Sequence, residues 1–316
     1  MRERPPADLD PGKDGGFVLL AVLLVSLILI ATASALTHAV RGRIGLVAAV
    51  ASSAEAEALA DAGFTLAMLD IEDARGNSQV ERRFPAGAPP LTCAAPDGKG
   101  TLTIAVRDEA GKININSKNE PLLLAFLNGL GIGQDASQAL LDGLLDYRDA
   151  DALTRDGAPE ANLTLASLAD PGAGFKNRPF DVIEELAQVP GFPRAAADRV
   201  RPYLTVYSDL DGFDVAHAPP GLREMVADGV ARSAFSGAGG WSSSHSADGI
   251  PQAFLARSTQ RALTIVATAS LPSGARFTRE AVVKISTSGD GYVVRRWLQA
   301  PYAIAPPVGE TVVPPC

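Results

Sequence analysis

The chain has 316 residues, of which 47% are apolar and 20% are charged, and its formal net charge is −8. This length can bury one large core or two modest ones. The acidic balance argues against a general binder of nucleic-acid backbones, because such proteins need a basic surface.

The first predicted element is a membrane-length helix that follows a polar leader. Residues 1–16 end in Gly15-Gly16, and the 24 residues from Phe17 to Val40 contain no Asp, Glu, Lys or Arg. As a helix this segment (17–40) would span roughly 36 Å, which exceeds a bilayer core of about 30 Å. The junction resembles the processing site of type IV pilin-like proteins, in which a membrane peptidase cuts after the last glycine. Here that cut separates Gly16 from Phe17.

Two other readings of this segment stay open. The first is a plain membrane anchor, which is also consistent with the hydropathy of the segment. The second is a secretory signal, because Ala33-Ser34-Ala35 forms an A-x-A cleavage pattern. Arg41 and Arg43 follow the helix, and the leader is poorly basic, so the distribution of charge does not settle the orientation in the membrane.

After the membrane segment, the sequence predicts an α+β domain built from two distant stretches. Residues 41–74 have the pattern of an amphipathic continuation of the helix, and a Pro/Gly-rich loop spans 84–100. Residues 101–115 are predicted as strand, turn and strand, because β-branched residues alternate there. Further strands are predicted at 261–269, 276–285 and 292–298, with a hairpin turn at Pro272-Ser273-Gly274.

Between these strands lies a helical block, which we predict to be inserted into the α+β domain. Its short helices are expected at 122–130, 136–147, 182–188 and 194–204. The predicted division of the chain is as follows: leader 1–16, membrane part 17–40, pilin-like α+β domain 41–116 and 255–300, inserted helical domain 117–210, flexible loop region 211–254, and extended tail 301–316.

The helical block contains two units that resemble helix-hairpin-helix motifs. Their glycine turns are Leu130-Gly131-Ile132-Gly133 and Val189-Pro190-Gly191-Phe192. In DNA-binding versions of this motif, hairpin amides and basic side chains hold phosphates. The first unit carries four aspartates against one arginine, which favours a structural or protein-docking role.

The order of these parts resembles a known family. The Gly-Gly-Phe junction, the long helix, Gly111-Lys112 before the sequence ININ, the two hairpin units and the segment from Pro202 to Ser208 are similar to minor pseudopilin K of type II secretion systems. The resemblance implies a pilin-like fold with an inserted helical domain, no enzymatic activity and a single-pass inner-membrane protein with a periplasmic soluble part. It also implies binding to other minor pseudopilins, the major pseudopilin and a prepilin peptidase, at the tip of the pseudopilus. The implied role is to assist pseudopilus assembly and the export of folded proteins across the outer membrane.

The fifth residue after the predicted cleavage site fits this resemblance. Most pilin-like proteins carry Glu there, which neutralises the N-terminal amine of a neighbour, whereas this chain has Ala21. A subunit without that carboxylate suits the top of a stack, where no amine above it needs pairing inside a low-dielectric membrane.

An acidic segment at 146–160 is predicted to bind Ca²⁺. The candidate ligands are Asp146, Asp149, Asp151, Asp156 and Glu160, next to Gly157. Calcium takes six to eight oxygen ligands in flexible geometry, although the spacing is not that of an EF-hand loop. Related proteins of the family also have acidic, calcium-binding loops in this domain. The alternative is a solvated acidic helix end.

The remaining candidate residues are Cys93 and Cys316, the only cysteines of the chain. In an oxidising compartment they would pair, and the alternative is two free thiols. The three histidines are scattered and no CxxC occurs, so the sequence shows neither a zinc site nor a catalytic constellation. A membrane-tethered helix-hairpin-helix DNA-binding protein of the competence type is the alternative function, because residues 114–148 resemble that class too.

Overall fold

The computed structural model describes residues 15–77, 79–95, 98–159, 175–235, 249–286, 291–301 and 314–316. Its first element, α1, is one unbroken helix at Gly15–Gly76 of 62 residues. Residues 17–38 form its membrane-length part, and none of this part is buried. The later part buries side chains at spacings of three and four residues, including Ala56, Ala60, Phe64 and Met68. This spacing places them on one face of the helix.

That face packs on a five-stranded antiparallel sheet with the strand order β1-β2-β5-β6-β7. The strands are β1 (Leu91–Ala94), β2 (Thr101–Asp108), β5 (Ala262–Ser270), β6 (Arg276–Ile285) and β7 (Tyr292–Gln299). The sequence therefore placed β2, β5, β6 and β7 within one residue of their observed bounds. It missed β1, which lies in the stretch predicted as a loop.

The chain between β2 and β5 forms mostly short helices. They are α2 (Glu120–Gly129), α3 (Gln134–Arg148), α4 (Arg194–Val200) and α5 (Leu222–Phe235), with single 3₁₀ turns at Ile183–Gln188 and elsewhere. Two short strands, β3 (Ile113–Asn114) and β4 (Leu204–Thr205), pair in parallel. We call the described residues from 113 to 254 the helical half. The sheet half consists of the five-stranded sheet and the part of α1 that packs on it.

The strand, turn and strand predicted at 101–115 are present as β2, a 3₁₀ turn at Glu109–Gly111 and β3, which pairs with β4. One expectation about this region was wrong. The region predicted as a flexible loop contains α5, whose Val226 is fully buried and whose Gly229 touches the backbone of α2. This helix was not predicted because glycine and proline residues lie around it and only tertiary packing stabilises it.

The two halves have separate apolar cores. In the helical half, 25 buried residues cluster around Phe126, Phe213 and Phe254. In the sheet half, α1 contributes Phe64 and Ile71 to a cluster of small and β-branched residues on one face of the sheet. Within the described residues, the helical half and the sheet half therefore have their own cores, and a smaller cluster around Cys93, Leu102 and Phe277 adds to the sheet half.

Candidate functional sites

The predicted processing site lies at the start of α1. Gly16 is part of the helix, and Phe17 is 73% exposed. From Phe17 to Ile30, large apolar side chains point outwards on all sides of the helix, with more than half of each accessible. A helix that is apolar all round needs an apolar environment, which a bilayer or partner helices supply. Ala21 therefore lies within the segment that would be embedded.

Further along α1, one arginine fastens the helix to the sheet. Arg279 on β6 is 7% exposed, and its Nε atom lies 2.6 Å from Oδ1 of Asp61. Its Nη2 atom donates to Oε1 of Glu57 at 2.7 Å, and its guanidinium lies 4.7 Å from the ring centroid of Trp297. Burial lowers the pKa of Arg279, but the bonds to Asp61 and Glu57 outweigh burial and raise the pKa overall.

A buried glutamate joins the two halves of the soluble part. Glu109 follows β2 and is 1% exposed; its carboxylate accepts from Lys112, from Thr205 of the helical half and from Thr264 of β5, each at 2.5 Å. Burial alone would raise the pKa of Glu109, but the Lys112 charge and the three hydrogen bonds lower the pKa below its ordinary value. The role of this glutamate was not predicted from the sequence, although it lies two residues before the Gly111-Lys112 pair.

The acidic segment after α3 is organised by its own hydrogen bonds. Asp146 is buried, and its Oδ2 accepts from the backbone of Arg155 at 3.3 Å. Asp151 accepts from the backbone of Leu153 at 2.9 Å. Asp156 is exposed, and a hydrogen bond from the Thr154 hydroxyl lowers the pKa of its carboxyl.

Asp149 is the candidate ligand whose carboxylate oxygen is least well stabilised by the surrounding protein. Its Oδ1 atom is buried and has no hydrogen-bond partner among the described residues. Burial, followed by the charge of Asp151, raises the pKa of the Asp149 carboxyl. A nearby cation would relieve both effects. Even so, the described residues contain no group of three or more Asp, Glu, His or Cys side chains placed to hold a metal ion. Glu160 lies outside the described residues, so calcium binding stays a prediction.

The two cysteines meet at the edge of the sheet. The Cα atoms of Cys93 on β1 and Cys316 are 4.9 Å apart, and the sulfurs are joined in the structure. The backbone of the C-terminal residues also pairs with β1, because Ala94 donates to Pro314 at 2.7 Å and Cys316 donates to Ala94 at 3.0 Å. Arg83 donates to the carbonyl of Pro315 at 2.7 Å. The last residues thus cover the outer edge of β1.

The glycine turns of both hairpin-like units adopt backbone angles that favour glycine. Gly131, Gly133 and Gly191 have φ values of 76°, 91° and 77°. The two units approach each other closely, since a Cβ atom on Gly143 of α3 would lie 2.9 Å from the carbonyl of Pro190. These hairpins therefore pack against one another within the helical half.

Comparisons with known proteins agree with this architecture. Residues 102–209 match the family model described as "Type II secretion system (T2SS), protein K". No curated protein matches the chain. One chain of the crystal structure of the GspK-GspI-GspJ complex from the enterotoxigenic Escherichia coli type 2 secretion system is similar in fold, with a TM-score of 0.52 and 14% identity. The match covers 83% of this chain and 99% of that chain. The predicted α+β, pilin-like fold is confirmed, and the resemblance to protein K of type II secretion systems is confirmed over residues 102–209.

Proposed function

We propose that this chain is a non-enzymatic minor pseudopilin at the tip of a type II secretion pseudopilus, where it assists assembly and the export of folded proteins. One observation carries the proposal: α1 runs without a break from an exposed apolar segment onto the sheet, and a bulky helical half is inserted between β2 and β5. The first feature lets the subunit pack among partner helices, and the second hinders another subunit from stacking above it.

The proposed location and partners follow from the same features. Residues 17–38 would anchor the chain once in the inner membrane, with the soluble part in the periplasm. The similar crystal structure is that of a complex of GspK with GspI and GspJ. We therefore propose other minor pseudopilins as direct partners, with the major pseudopilin below them.

The mature N-terminus is the first test. Mass spectrometry of full-length chain made together with a prepilin peptidase should find Phe17 as the first residue. The variant Gly16→Val should block this cut, and Leu19→Val, a change inside the mature helix, should leave it intact. A start at Leu36 would indicate an ordinary secretory signal, and an intact Met1 a plain anchor. Either result would contradict the proposal.

A second test concerns the position in the filament. The variant Ala21→Glu adds the carboxylate that a subunit with a neighbour above it would use. We expect no gain in secretion, and incorporation of the variant at lower positions in the pseudopilus. Improved secretion with normal tip assembly would contradict the tip assignment.

The family match does not favour the competence-type DNA-binding alternative, and we expect no retention of duplex DNA even at low salt, where phosphate binding is strongest.

A further inference from the structure

A basic cleft opens where several segments of the chain meet. It has a volume of about 640 Å³ and lies between the end of α1, the loop that follows it and the segment before β5. Its lining includes Arg75, Arg82, Arg257 and Arg261. Among the described residues that line it, Asp214 is the one carboxylate. In a chain with a net charge of −8, this is a local reversal of charge.

Two of these guanidinium groups have no partner among the residues that the structure describes. Arg75 bonds to Glu72 at 3.1 Å, and Arg82 bonds to Oε1 of Gln260 at 2.6 Å. Arg257 and Arg261 are exposed, and their side chains make no hydrogen bond or ion pair with any residue that the structure describes. Two positive charges are therefore available to a ligand.

The carboxylate of the cleft makes no ion pair with either arginine, and its hydrogen bonds come from other groups. Asp214 accepts from the backbone of Ser258 at 2.8 Å, from the backbone of Ala216 at 2.9 Å and from Nδ1 of His217 at 3.2 Å. Burial would raise the pKa of Asp214, but these bonds outweigh burial and lower its pKa. Asp214 therefore remains ionised and orders the wall of the cleft.

The backbone that carries the free arginines is held in place. The Ser258 hydroxyl donates to Asp108, and the amide of Gln260 donates to the same hydroxyl at 2.8 Å. Gln260 has a φ of 52°, in the left-handed region that costs a non-glycine residue about 1 kcal/mol. Because this backbone is already fixed, binding of a ligand has to order only the arginine side chains.

We propose that this cleft binds an acidic peptide segment of another protein through pairs between its carboxylates and the guanidinium groups. Arginine matches carboxylate geometry with two parallel hydrogen bonds. An open cleft whose arginines come from three segments suits several carboxylates on an extended chain better than one small anion. A lipid headgroup does not fit, because the 37 residues of α1 between His38 and Arg75 place the cleft about 55 Å from the end of the membrane segment. The assignment does not depend on the role proposed for the whole chain.

Binding of a fluorescein-labelled hexaglutamate peptide to the full-length chain in detergent tests this site. Fluorescence anisotropy should show binding that weakens as NaCl is raised, because salt screens exposed pairs. The double variant Arg257→Ala/Arg261→Ala should raise Kd about 5- to 30-fold, as expected for the loss of two exposed ion pairs. Neither side chain bonds to another described residue, so thermal melts of the variant should match those of the parent chain.

The matched control is Arg107→Ala/Arg199→Ala, which removes the same charge at two exposed positions outside the cleft. We expect it to change Kd less than twofold. An equal loss in the control would show non-specific attraction, and no peptide binding by the parent chain would overturn the site. Displacement of the peptide by equimolar inorganic phosphate, or tighter binding of a 20-base-pair DNA duplex or of phosphatidylglycerol vesicles, would overturn the peptide assignment.

Discussion

The sheet half and the helical half are stabilised in different ways. The sheet half has long hydrogen-bonded ladders, such as the nine residue pairs between β5 and β6, and a covalent link at its edge. The helical half has helices of 7 to 15 residues, which are at best marginal in water without tertiary contacts. Its stability therefore lies in its core and in close contacts between helices. Small changes in packing should harm the helical half more than the sheet half.

The largest expected effect concerns the sheet half. The bond between Cys93 and Cys316 closes a loop of 223 residues, and its loss should cost at most roughly 5 kcal/mol by chain entropy. The variant Cys316→Ser should lower the denaturant midpoint of the full chain, and reduction of the parent chain should lower it equally. Ala95→Ser, a polar change at a nearby buried residue, serves as the control. If mass mapping found two free thiols in oxidised protein, the pairing itself would be refuted.

The addition of a single methyl group should destabilise the helical half. A Cβ atom on Gly229 of α5 would lie 1.7 Å from the carbonyl of Ala125 on α2. The variant Gly229→Ala should therefore destabilise the chain by about 3 kcal/mol, the upper part of the range for overpacking. Hydrogen exchange should rise in α2 and α5 and stay unchanged in β5 and β6.

The matched control for this variant is Gly45→Ala. That glycine also lies within a helix, and a Cβ atom there would meet nothing within 4 Å. Alanine is the better helix former, so the control should be neutral or slightly stabilising. Equal protection of α2 in the parent chain and in Gly229→Ala would contradict the comparison between the halves.

The contact between the halves should depend on pH through Glu109. Its pKa in the folded chain lies below the unfolded value, so its stabilisation is complete above the unfolded pKa and is lost as pH falls through the folded pKa. The variant Glu109→Gln should cost about 2 kcal/mol at neutral pH, in the range for hydrogen bonds to a charged group. Urea melts at pH 7 and below pH 4 should show this difference shrinking in acid. A difference that stays constant with pH would exclude the carboxylate as its cause.

The smallest expected effect belongs to the acidic segment of the helical half. An ion that binds only the folded chain stabilises it by roughly 1.4 kcal/mol at ten times Kd. Calcium should therefore raise the melting temperature by a few degrees, and EDTA should reverse the gain. Asp149→Asn should abolish it, whereas Asp135→Asn, near the start of α3 and outside the segment, should not. A melting temperature that does not respond to calcium would remove the prediction.

The sheet was easier to predict from the sequence than the helical half. β5 and β6 are runs of nine and ten residues that contain Val, Ile, Thr and Phe on either side of a Pro-Ser-Gly turn, which is a strong local signal. β1 has only four residues and follows two prolines, so its pairing with β2 was not visible locally. α5 was missed because its polar and glycine residues form a helix only against α2.

Some of the candidate sites could be predicted from the sequence, and others could not. The apolar segment from Phe17 is continuous in the sequence, and its exposure in the structure agrees with the prediction of a membrane-length helix. Spacing alone left the pairing of Cys93 with Cys316 open. Glu109, Arg279 and the basic cleft were missed because their partners are distant in sequence: Arg75 and Arg261 meet only after β5 has joined the sheet.

Because α1 is unbroken, a tilt of the membrane segment should move the soluble part with it. With about 55 Å between His38 and Arg75, a 10° tilt of the membrane segment would displace the basic cleft by about 10 Å if the helix stays straight. Small rotations of the membrane segment therefore produce large displacements of the soluble part. The distance over which the cleft can move towards a partner then depends on how firmly the surroundings hold the apolar segment.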